Sequence, residues 1–484
     1  MKIMKVLFAG YESAPYYKRG GLGDVMESLP KALQGIGVDA RVTIPYYREI
    51  KKQYHIKKEG EFYVDFNGKK EHIGIYSEKY SNVPFYFLEN IRYLSLSRAK
   101  DKTKRMGQFA FFDLAIVEFI RWLGEHHKWR VDIVHPNDWH TALIPLILKK
   151  RKLEIPTLLT IHNLLYQGVG SLKVLDMLDI QDEEAKTLKR GVPANEMNIL
   201  GEGIVHATRV STVSPTYAKE IAKAEHDHNP ISPFLIKRRD EGLGKDDPLR
   251  HEARKIIGIL NGIDYDVWNP TKDEIIFHKF DIDNWEIGKK DNKEDLLRSL
   301  GLEDRPTFCF VGRMAVQKGL DILIKAVEKA APLDINLIIL GSGDTRIQAS
   351  ILKMAEKFPW IRAELLYSED LAHKIYAGSD FIVIPSRYEP CGLIQMIAMR
   401  YGTIPIASDT GGLHDSISNG KNGFLFKKGK SARLKRVIKH ALNIYKDSIR
   451  YKKMVQQAMK KDFSWDKSAK LYKKLYEEMI AVHS

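Results

Sequence analysis

Cysteine is scarce in this chain, and so are the motifs that commonly mark a metal site or a hydrolytic nucleophile. The only cysteines among the 484 residues are Cys309 and Cys391, which lie far apart. Two distant cysteines cannot build a disulfide framework or a cysteine-rich zinc site. The sequence contains neither an H-E-x-x-H metal motif nor a G-x-S-x-G nucleophile elbow. These absences argue against a zinc peptidase and a serine hydrolase, and they favour a cytoplasmic protein.

Long apolar runs are missing as well. No hydrophobic stretch reaches the length of a membrane span. The first residues, "MKIMKVLFAGYES", lack the small-residue cleavage pattern of a secretion signal and are typical of a first strand. Hydrophobic residues make up 44% and charged residues 29%, which is the balance of a globular protein. We therefore expect no membrane partner.

Negative charge is in short supply, since Lys and Arg total 77 against 62 Asp and Glu, a formal net charge of +15. Such an excess can attract nucleic acid, a membrane surface or a phosphorylated ligand. The excess is spread along the chain, so a solvated surface is the favoured interpretation, and a charged partner remains the alternative. We predict no nucleic-acid partner.

Short apolar strands alternate with amphipathic helices along most of the chain, which predicts parallel βαβ units and doubly wound α/β sheets. A chain of this length is too long for one core. The alternation stops over residues 225–254 and the turn-rich "GILNGIDYDVWNP", and it restarts at "TFCFVGR". The predicted domains are therefore 1–257 and 258–462, followed by a terminal helix, 463–484, with one apolar face.

The first candidate loop is "KRGGLGDV", which follows the first strand. Gly20, Gly21 and Gly23 permit a tight turn and a close approach of a ligand to the backbone. Asp24 is expected to cap the next helix, whose free N–H groups would favour an anion, with Lys18 adding a charge. On spacing alone, a phosphate site and a plain turn both remain open.

The loop "GRMAVQKG" follows the first strand of the second half. Arg313 and Lys318 flank it, just before a helix. Arginine binds phosphate bidentately and lysine acts as a point charge, so the two residues suit a diphosphate. The alternative is a pair of solvated surface cations.

The stretch "FIVIPSRYEPCGL" predicts a buried strand, a loop and a helix that starts at Gly392. Glu389 lies in the loop, beside Cys391. Free amides at Gly392 and Leu393 could hold a phosphate or sugar hydroxyls. The alternative makes Glu389 a charge that is stabilised by the helix dipole.

Histidines follow two strands of the first half, in "DIVHPNDWHTALIP" and "LTIHNLLYQG". His135, Asp138, His140 and His162 could suggest a metal. No metal-binding spacing supports that hypothesis, and a lone histidine is more often a hydrogen-bonded structural residue. We predict no metal and no cofactor.

Eight sequence blocks in one order carry a resemblance to a known family: "KRGGLGDV", "HPNDWHTALIP", "TIHNLLYQG", "VSTVSPTYAKEI", "ILNGIDYDVWNP", "GRMAVQKGLD", "PSRYEPCGLIQ" and "TGGLHDSI". Together they resemble the bacterial-type glycogen and starch synthases, from about residue 5 to the terminal helix. The resemblance implies a GT-B fold. In that fold two Rossmann-like domains face each other across a deep cleft, and the terminal helix crosses back onto the first domain.

The resemblance also implies the reaction, in which glucose passes with retention from ADP-glucose or UDP-glucose to the non-reducing end of an α-1,4-glucan, without a metal. The first domain would carry the acceptor and the second the nucleotide-sugar donor. The residues that match the family's catalytic positions are Asp138, His162, Arg313, Lys318 and Glu389. Those that match donor-binding positions are Lys18, Gly20, Gly21, Asp24, Asn261, Arg313, Lys318, Tyr367, Cys391, Gly392 and Leu393.

The chain departs from the family pattern in a few places. Asn137 stands where the family commonly has histidine, and we expect little cost from it. Ile397 stands where broader retaining GT-B families carry a second glutamate, which favours the glycogen synthase branch. Arg19 occupies a variable position of its motif and is expected to face solvent. A retaining GT-B transferase with another acceptor and a non-catalytic glucan-binding homologue remain the alternatives; the charged site residues argue against the second.

Overall fold

The chain forms two compact units in the computed structural model. The structure describes residues 3–97, 101–180, 195–223, 231, 234–235, 255–330, 334–366 and 368–483. One unit is Met1–Ile259 together with Trp465–Ser484, and the other is Leu260–Ser464. Both divisions fall two residues beyond the boundaries predicted from the sequence.

The first unit is built mainly from strands that are followed by helices. Its strands are β1 (Met4–Ala9), β2 (Val38–Pro45), β3 (Lys57–Phe66), β4 (Lys69–Tyr80), β5 (Val83–Glu89), β6 (Ile133–Pro136), β7 (Leu158–Ile161), β8 (Val169–Ser171), β9 (Glu196–Asn198), β10 (Arg209–Thr212) and β11 (Ile257–Gly258). Its helices before residue 260 are α1 (Gly21–Gly35), α2 (Arg48–Gln53), α3 (Lys102–His126), α4 (Ile144–Lys150), α5 (Lys173–Met177), α6 (Ile199–His206) and α7 (Pro215–Ile221), with a 3₁₀ turn at Trp139–Thr141.

The main sheet of this unit has the order β3-β4-β5-β2-β1-β6, and β1 pairs in parallel with β2 and with β6. Isolated bridges join β6 and the residue after it to the segment of β7. Strand β7 pairs with β10, and β10 pairs in turn with β11. The pairs β3–β4 and β4–β5 are antiparallel, so the prediction of purely parallel units does not hold at this edge. The turn between β3 and β4 is Asn67–Gly68, both at positive φ, the residue pair that a tight β-hairpin favours.

The second unit contains one fully parallel sheet, whose strands alternate with helices along the chain. Its strands are β12 (Thr307–Val311), β13 (Asn336–Leu340), β14 (Ile361–Glu364), β15 (Phe381–Ile384), β16 (Ile404–Ser408) and β17 (Phe424–Phe426). Its helices are α8 (Trp285–Leu300), α9 (Leu320–Glu328), α10 (Thr345–Lys357), α11 (Glu369–Gly378), α12 (Ile394–Arg400), α13 (Gly411–Ser416), α14 (Ser431–Lys446) and α15 (Ser448–Met459), with a 3₁₀ turn at Val316–Lys318.

The strand order of the second sheet is β14-β13-β12-β15-β16-β17, which is the doubly wound order of a Rossmann fold. Strands β12, β13, β15 and β16 are buried along their whole length, as expected of a parallel sheet that is covered on both faces. The order reverses direction between β12 and β15. Such a reversal, called a switch point below, is where ligands bind in doubly wound sheets, outside the carboxyl ends of the strands.

The last helix, α16 (Trp465–His483), belongs to the first unit. Its apolar face packs into the core around α1 and the main sheet, as its periodicity predicts. The residues that enter this core are Trp465, Ala469, Tyr472, Leu475, Tyr476 and Met479. A polar link accompanies the packing, since the Tyr476 hydroxyl lies 2.7 Å from Nδ1 of His135, in the strand β6. The expected return of the terminal helix to the first domain is confirmed.

Two features are absent from the described ranges: a membrane-spanning helix and a metal-binding cluster. Within those ranges, no helix combines the length and the hydropathy that a membrane crossing requires. The same residues contain no group of three or more His, Cys, Asp or Glu side chains arranged to hold a metal ion.

Candidate active site

In the second unit, the candidate residues lie in the loops that follow the two strands of the switch point. Arg313 and Lys318 come after β12, and Glu389 comes after β15. The loops are joined through the backbone, since the Arg387 amide donates to the Gln317 carbonyl at 2.8 Å. The sequence predicted each loop separately, and the fold brings the two together.

Glu389 is the centre of this group. Its carboxylate accepts hydrogen bonds from Lys318 Nζ at 2.7 and 3.0 Å and from the Ser386 hydroxyl at 2.9 Å. Ser386 is fully buried, and Glu389 is nearly so. The interpretation of Glu389 as a helix-dipole charge is therefore insufficient, because its partners are a lysine and a buried hydroxyl.

Glycines hold the backbone of this loop without room for a side chain. A Cβ on Gly411 would lie 1.9 Å from the Glu389 carbonyl oxygen, and one on Gly319 would lie 2.0 Å from the Pro385 carbonyl oxygen. Both residues have positive φ, 46° and 67°. The neighbouring Gly412 donates its amide to the Glu389 carbonyl at 3.0 Å. The position of the carboxylate is thus fixed from two sides by close backbone contacts.

Cys391, Gly392 and Leu393 follow directly, although α12 begins at Ile394 and not at the predicted Gly392. Gly392 has φ 71°, which is not helical, so the helix starts only after it. Burial raises the pKa of the Cys391 thiol to about 12, while the Asn261 amide that donates to it opposes the shift. The thiol is therefore protonated at neutral pH and is not a nucleophile in this state.

Asn261 and Arg313 complete the predicted set on this unit. Asn261 is buried, and its Oδ1 has no hydrogen-bond partner within the part of the chain that the structure describes. Arg313 is exposed, which leaves its guanidinium accessible to a ligand. The predicted base-packing residue, Tyr367, lies outside the described residues.

In the first unit, the "KRGGLGDV" loop lies between β1 and α1, at the point where the order of the main sheet reverses between β1 and β6. Lys18 Nζ forms an ion pair with Asp24 at 2.6 Å. Helix α1 begins at Gly21 with Gly20 as its N-cap, and no side chain caps it there. The expectation that Asp24 caps the helix is therefore wrong, since the helix begins three residues earlier and places Asp24 in its first turn.

The backbone amides around the start of α1 are contacted by a carboxylate that the sequence analysis missed. Glu12 accepts hydrogen bonds from the backbone N–H groups of Arg19, Gly20 and Gly23. The amides of Gly20 and Gly23 are thus not free for an external anion. Arg19 is exposed as expected, and its side chain contacts the Tyr17 hydroxyl.

Asp138 follows β6 with φ 60°, an unusual backbone conformation for a residue with a side chain. Its carboxylate accepts hydrogen bonds from the amides of His162, at 2.7 Å, and Asn163, at 3.3 Å. Burial raises the pKa of Asp138 to about 7, and these two amides limit the rise. Strained backbone of this kind often accompanies function, so Asp138 is a candidate on geometry as well as on sequence.

His162 is held by Asn137, whose role the sequence analysis also missed. The Asn137 side-chain nitrogen donates to the carbonyls of Ala9 and His135, which turns its oxygen towards Nε2 of His162 at 2.9 Å. Nε2 therefore carries the proton. Burial lowers the pKa of His162 to about 3, so the ring is neutral and its Nδ1 is a hydrogen-bond acceptor.

The structure thus groups the predicted residues within each unit. Lys18, Gly20, Gly21 and Asp24 lie around the start of α1 at the first switch point, with Asp138 and His162 beyond the neighbouring strands. The other predicted residues that the structure describes belong to the second unit. Glu12, Asn137 and Ser386 were missed. Glu12 and Asn137 act through hydrogen bonds to residues well separated in sequence, whereas Ser386 bonds to Glu389 within the same loop. The available signal for Glu12 was its position, three residues after the end of the first strand and two after Gly10.

Comparisons with known proteins agree with this geometry. A family model described as "Starch synthase catalytic domain" matches residues 5–235, and one described as "Glycosyl transferases group 1" matches residues 292–461. A glycogen synthase of Caldicellulosiruptor saccharolyticus is 38% identical, over 99% of this chain and 100% of that protein. A glycogen synthase of Lacticaseibacillus casei is 36% identical, over 99% of both chains.

Solved structures give the same result. The catalytic domain of starch synthase IV from Arabidopsis thaliana, bound to ADP and acarbose, has a TM-score of 0.84 and 31% identity, over 99% of this chain and 100% of that one. A sucrose-phosphate synthase of Thermosynechococcus elongatus has a TM-score of 0.61 at 16% identity, over 99% of both chains, and supports the fold alone. The architecture is therefore GT-B, and the chain belongs to the family of bacterial-type glycogen and starch synthases, which are glycosyltransferases.

Proposed function

We propose that this chain transfers glucose from ADP-glucose to the non-reducing end of an α-1,4-glucan, with retention of configuration at the anomeric carbon. The observation that carries the proposal is the group of Lys318, Glu389 and Ser386 at the switch point of the second unit, in a chain of this family. A buried carboxylate that is paired with a lysine, beside an exposed arginine, suits a sugar that is attached to a diphosphate.

The donor's phosphates are assigned to cations. Breaking the bond from glucose to phosphate leaves negative charge on the diphosphate, and preorganised cations stabilise that charge. Arg313 and Lys318 supply the stabilising positive charge from the second unit, and we assign the same role to Lys18 in the first. Loss of the buried Lys318 would cost about 3–4 kcal/mol of transition-state stabilisation, and loss of the more exposed Lys18 would cost less.

The glucose is assigned to neutral or amide-held groups. Nδ1 of His162 is an acceptor for a sugar hydroxyl, and its tautomer is fixed by Asn137. Asp138 lies next to it through two backbone hydrogen bonds. Glu389 keeps Lys318 oriented and offers its carboxylate to the sugar or to the positive charge that develops on it.

Retention by double displacement would require a carboxylate nucleophile on the β-face of the sugar. We propose a front-face route instead. The bond from C1 to the phosphate oxygen breaks, the bond from C1 to the acceptor O4 forms on the same face, and the acceptor's proton passes to the departing diphosphate. Detection of a glucosyl adduct on Asp138 or Glu389 by mass spectrometry would contradict this route.

We favour ADP-glucose over UDP-glucose as the donor for two reasons. ADP-glucose is the donor of the bacterial-type branch that the sequence resembles, and ADP is the nucleotide bound in the structure of the similar starch synthase.

A donor competition assay tests the proposal. Glycogen is mixed with the protein and with each of the four common nucleotide-glucoses, and release of nucleoside diphosphate is followed. We expect release that depends on glycogen and is fastest with ADP-glucose. Faster release with UDP-glucose would correct the donor, release without glycogen would point to another acceptor, and no release with any donor would refute the synthase assignment.

A further inference from the structure

Glu12 is a buried carboxylate with an uncommon set of partners. It lies in the loop after β1 and is 1% exposed. One of its oxygens accepts hydrogen bonds from the amides of Arg19 and of Gly20, the latter at 3.2 Å, and the other accepts from Gly23, also at 3.2 Å. Three amides around the start of α1 therefore point at one internal anion.

These amides belong to the segment that carries Lys18. Arg19 and Gly20 follow it directly, and a Cβ on Gly23 would meet the Lys18 Cγ at 3.0 Å. Lys18 therefore packs against the same turn that Glu12 holds, while its ammonium group reaches Asp24. Any shift of this turn displaces the base of the lysine side chain.

Backbone contacts also hold this loop. Ser13 and Tyr17 exchange two backbone hydrogen bonds, each of 2.9 Å, which fix the chain before Lys18. Ala14 donates to the Gly23 carbonyl at 3.0 Å, which joins that part of the loop to the first turn of α1. The amides directly after Lys18 are those of Arg19 and Gly20, whose acceptor is Glu12.

A simple helix cap would not need a glutamate from outside the helix, because a serine or aspartate at the N-cap position serves that purpose locally. Here the N-cap is Gly20, and the charge comes from eight residues earlier. Burial is costly for such a group: desolvation raises the pKa of Glu12 to about 7, against its three amide hydrogen bonds, and the charge of Asp138 adds to the rise.

We propose that Glu12 is a positioning residue for donor binding: its carboxylate occupies the place at the start of α1 that a phosphate would otherwise take. Glu12 thereby fixes the turn after Lys18 and leaves the contact with the donor's phosphates to the Lys18 side chain. The proposal rests on the proposed function, because it assigns Lys18 to the donor.

A double-mutant cycle tests the proposal, with ADP as the probe and isothermal titration calorimetry as the measurement. Glu12→Gln is expected to weaken ADP binding about tenfold in the wild-type background and less than twofold in a Lys18→Ala background. Glu12→Asp, which keeps the charge but is one methylene shorter, should fall between wild type and Glu12→Gln.

Asp132→Asn is the matched control. Asp132 lies just before β6 and accepts a backbone hydrogen bond from Lys5, at the opposite ends of the strands β1 and β6. We expect it to leave ADP affinity unchanged. Thermal unfolding of every variant distinguishes a variant that is unfolded from one that folds but no longer positions the turn after Lys18.

Equal effects of Glu12→Gln in both backgrounds, or no effect in the wild-type background, would overturn the proposal. If Glu12→Gln does not fold, the same cycle with Glu12→Asp decides. The two hypotheses fail separately: a wild-type protein that binds ADP without transferring glucose refutes the proposed function, whereas an additive cycle in an active enzyme refutes only the role of Glu12.

Discussion

Both units place a lysine and a carboxylate in loops beside a switch point, but the two pairs have different surroundings. The Lys318 and Glu389 side chains are 16% and 7% exposed, and a buried hydroxyl and two tightly packed glycines hold them. The Lys18 and Asp24 side chains are 45% and 33% exposed, and the turn beside them is held by Glu12. The second unit thus fixes its charges themselves, while the first fixes the backbone that carries them.

The two units also differ in the hydrogen-bond partners of their buried carboxylates. The buried carboxylate of the second unit has a lysine as its partner, whereas Asp138 accepts from backbone amides, and Glu12 from backbone amides and the Tyr11 hydroxyl. Burial raises the pKa values of Glu12 and Asp138 to about 7, and their amide hydrogen bonds offset only part of the rise. We therefore expect both carboxylates of the first unit to titrate near neutrality.

The largest effect should come from Glu389. We expect Glu389→Gln to lower turnover at least about a hundredfold, the scale of one lost electrostatic group in a preorganised site. The measurement is nucleoside diphosphate release per folded molecule, with folding checked by circular dichroism.

Asp380→Asn is the matched control for that change. Asp380 pairs with Lys293 at 2.8 Å and accepts the Thr307 amide, at the amino ends of the same two strands, β12 and β15. Loss of this buried pair should destabilise the protein by about 3 kcal/mol and leave turnover within about threefold. Equal losses of turnover in both variants would show that burial of a pair, and not its place at the switch point, matters.

The next effect should come from Gly411, which tests how tightly the second loop is fixed. In Gly411→Ala the new Cβ collides with the Glu389 carbonyl, so we expect at least a tenfold loss of turnover and a clearly lower melting temperature. Gly420→Ala also has positive φ but meets nothing within 4 Å. Gly420→Ala should lower the free energy of unfolding by about 1 kcal/mol and leave turnover unchanged. Similar losses of turnover in both variants would contradict a role for close packing around Glu389.

A smaller effect should separate two neighbouring cations of the first loop. Lys18→Ala is expected to raise the KM for the donor about tenfold, the cost of one charge-assisted hydrogen bond. Arg19→Ala should change it less than twofold, because the Arg19 side chain is exposed and its backbone amide, which contacts Glu12, is retained. Steady-state kinetics with varied donor provide the measurement, and equal effects would mean that only the net charge of the loop matters.

The smallest effect should appear in the pH dependence of stability. Asp138 has a pKa of about 7 in the folded protein and about 3.9 in an unfolded chain. Between these values the folded carboxyl holds a proton that the unfolded one has lost, so its contribution to stability falls as pH rises from about 4 to 7. The melting temperature of Asp138→Asn, relative to wild type, should therefore increase by a few degrees from pH 5 to pH 7.5.

The comparison with wild type at each pH removes other titrating groups. Burial lowers the pKa of His162, so its contribution has the opposite sign and increases with pH over the same range, in both proteins. Calorimetry at four or five pH values is sufficient. A difference that does not vary with pH would show that Asp138 is not protonated in the folded state at pH 5.

The alternation of strands and helices was predictable from the sequence, because a parallel sheet buried on both faces requires continuous apolar strands such as "TFCFV" and "FIVIP". The hairpin of β3 and β4 was not predicted, although Asn67–Gly68 between two runs of alternating side chains is its usual signal. The prediction considered only parallel strands joined by helical crossovers, and it therefore missed the antiparallel edge of the main sheet.

The site was predictable where one loop carries the chemistry and unpredictable where distant loops share it. Lys318 and Glu389 were both expected, but their ion pair joins residues 71 positions apart. The link from Asn137 to His162 and the contact of Gly411 with Glu389 are of the same kind. Spacing in a sequence contains no distance between loops, so such contacts become visible only when the sheet order is known.

The pairing of Lys318 with Glu389 has a consequence for selectivity. A protein with an excess of fifteen positive charges attracts many anions, yet this lysine is already neutralised by a carboxylate from its own chain. An incoming anion must compete with that internal counter-ion, and an anion of single charge gains little by doing so. We therefore expect the pair to favour a diphosphate over singly charged anions such as chloride or a lone carboxylate.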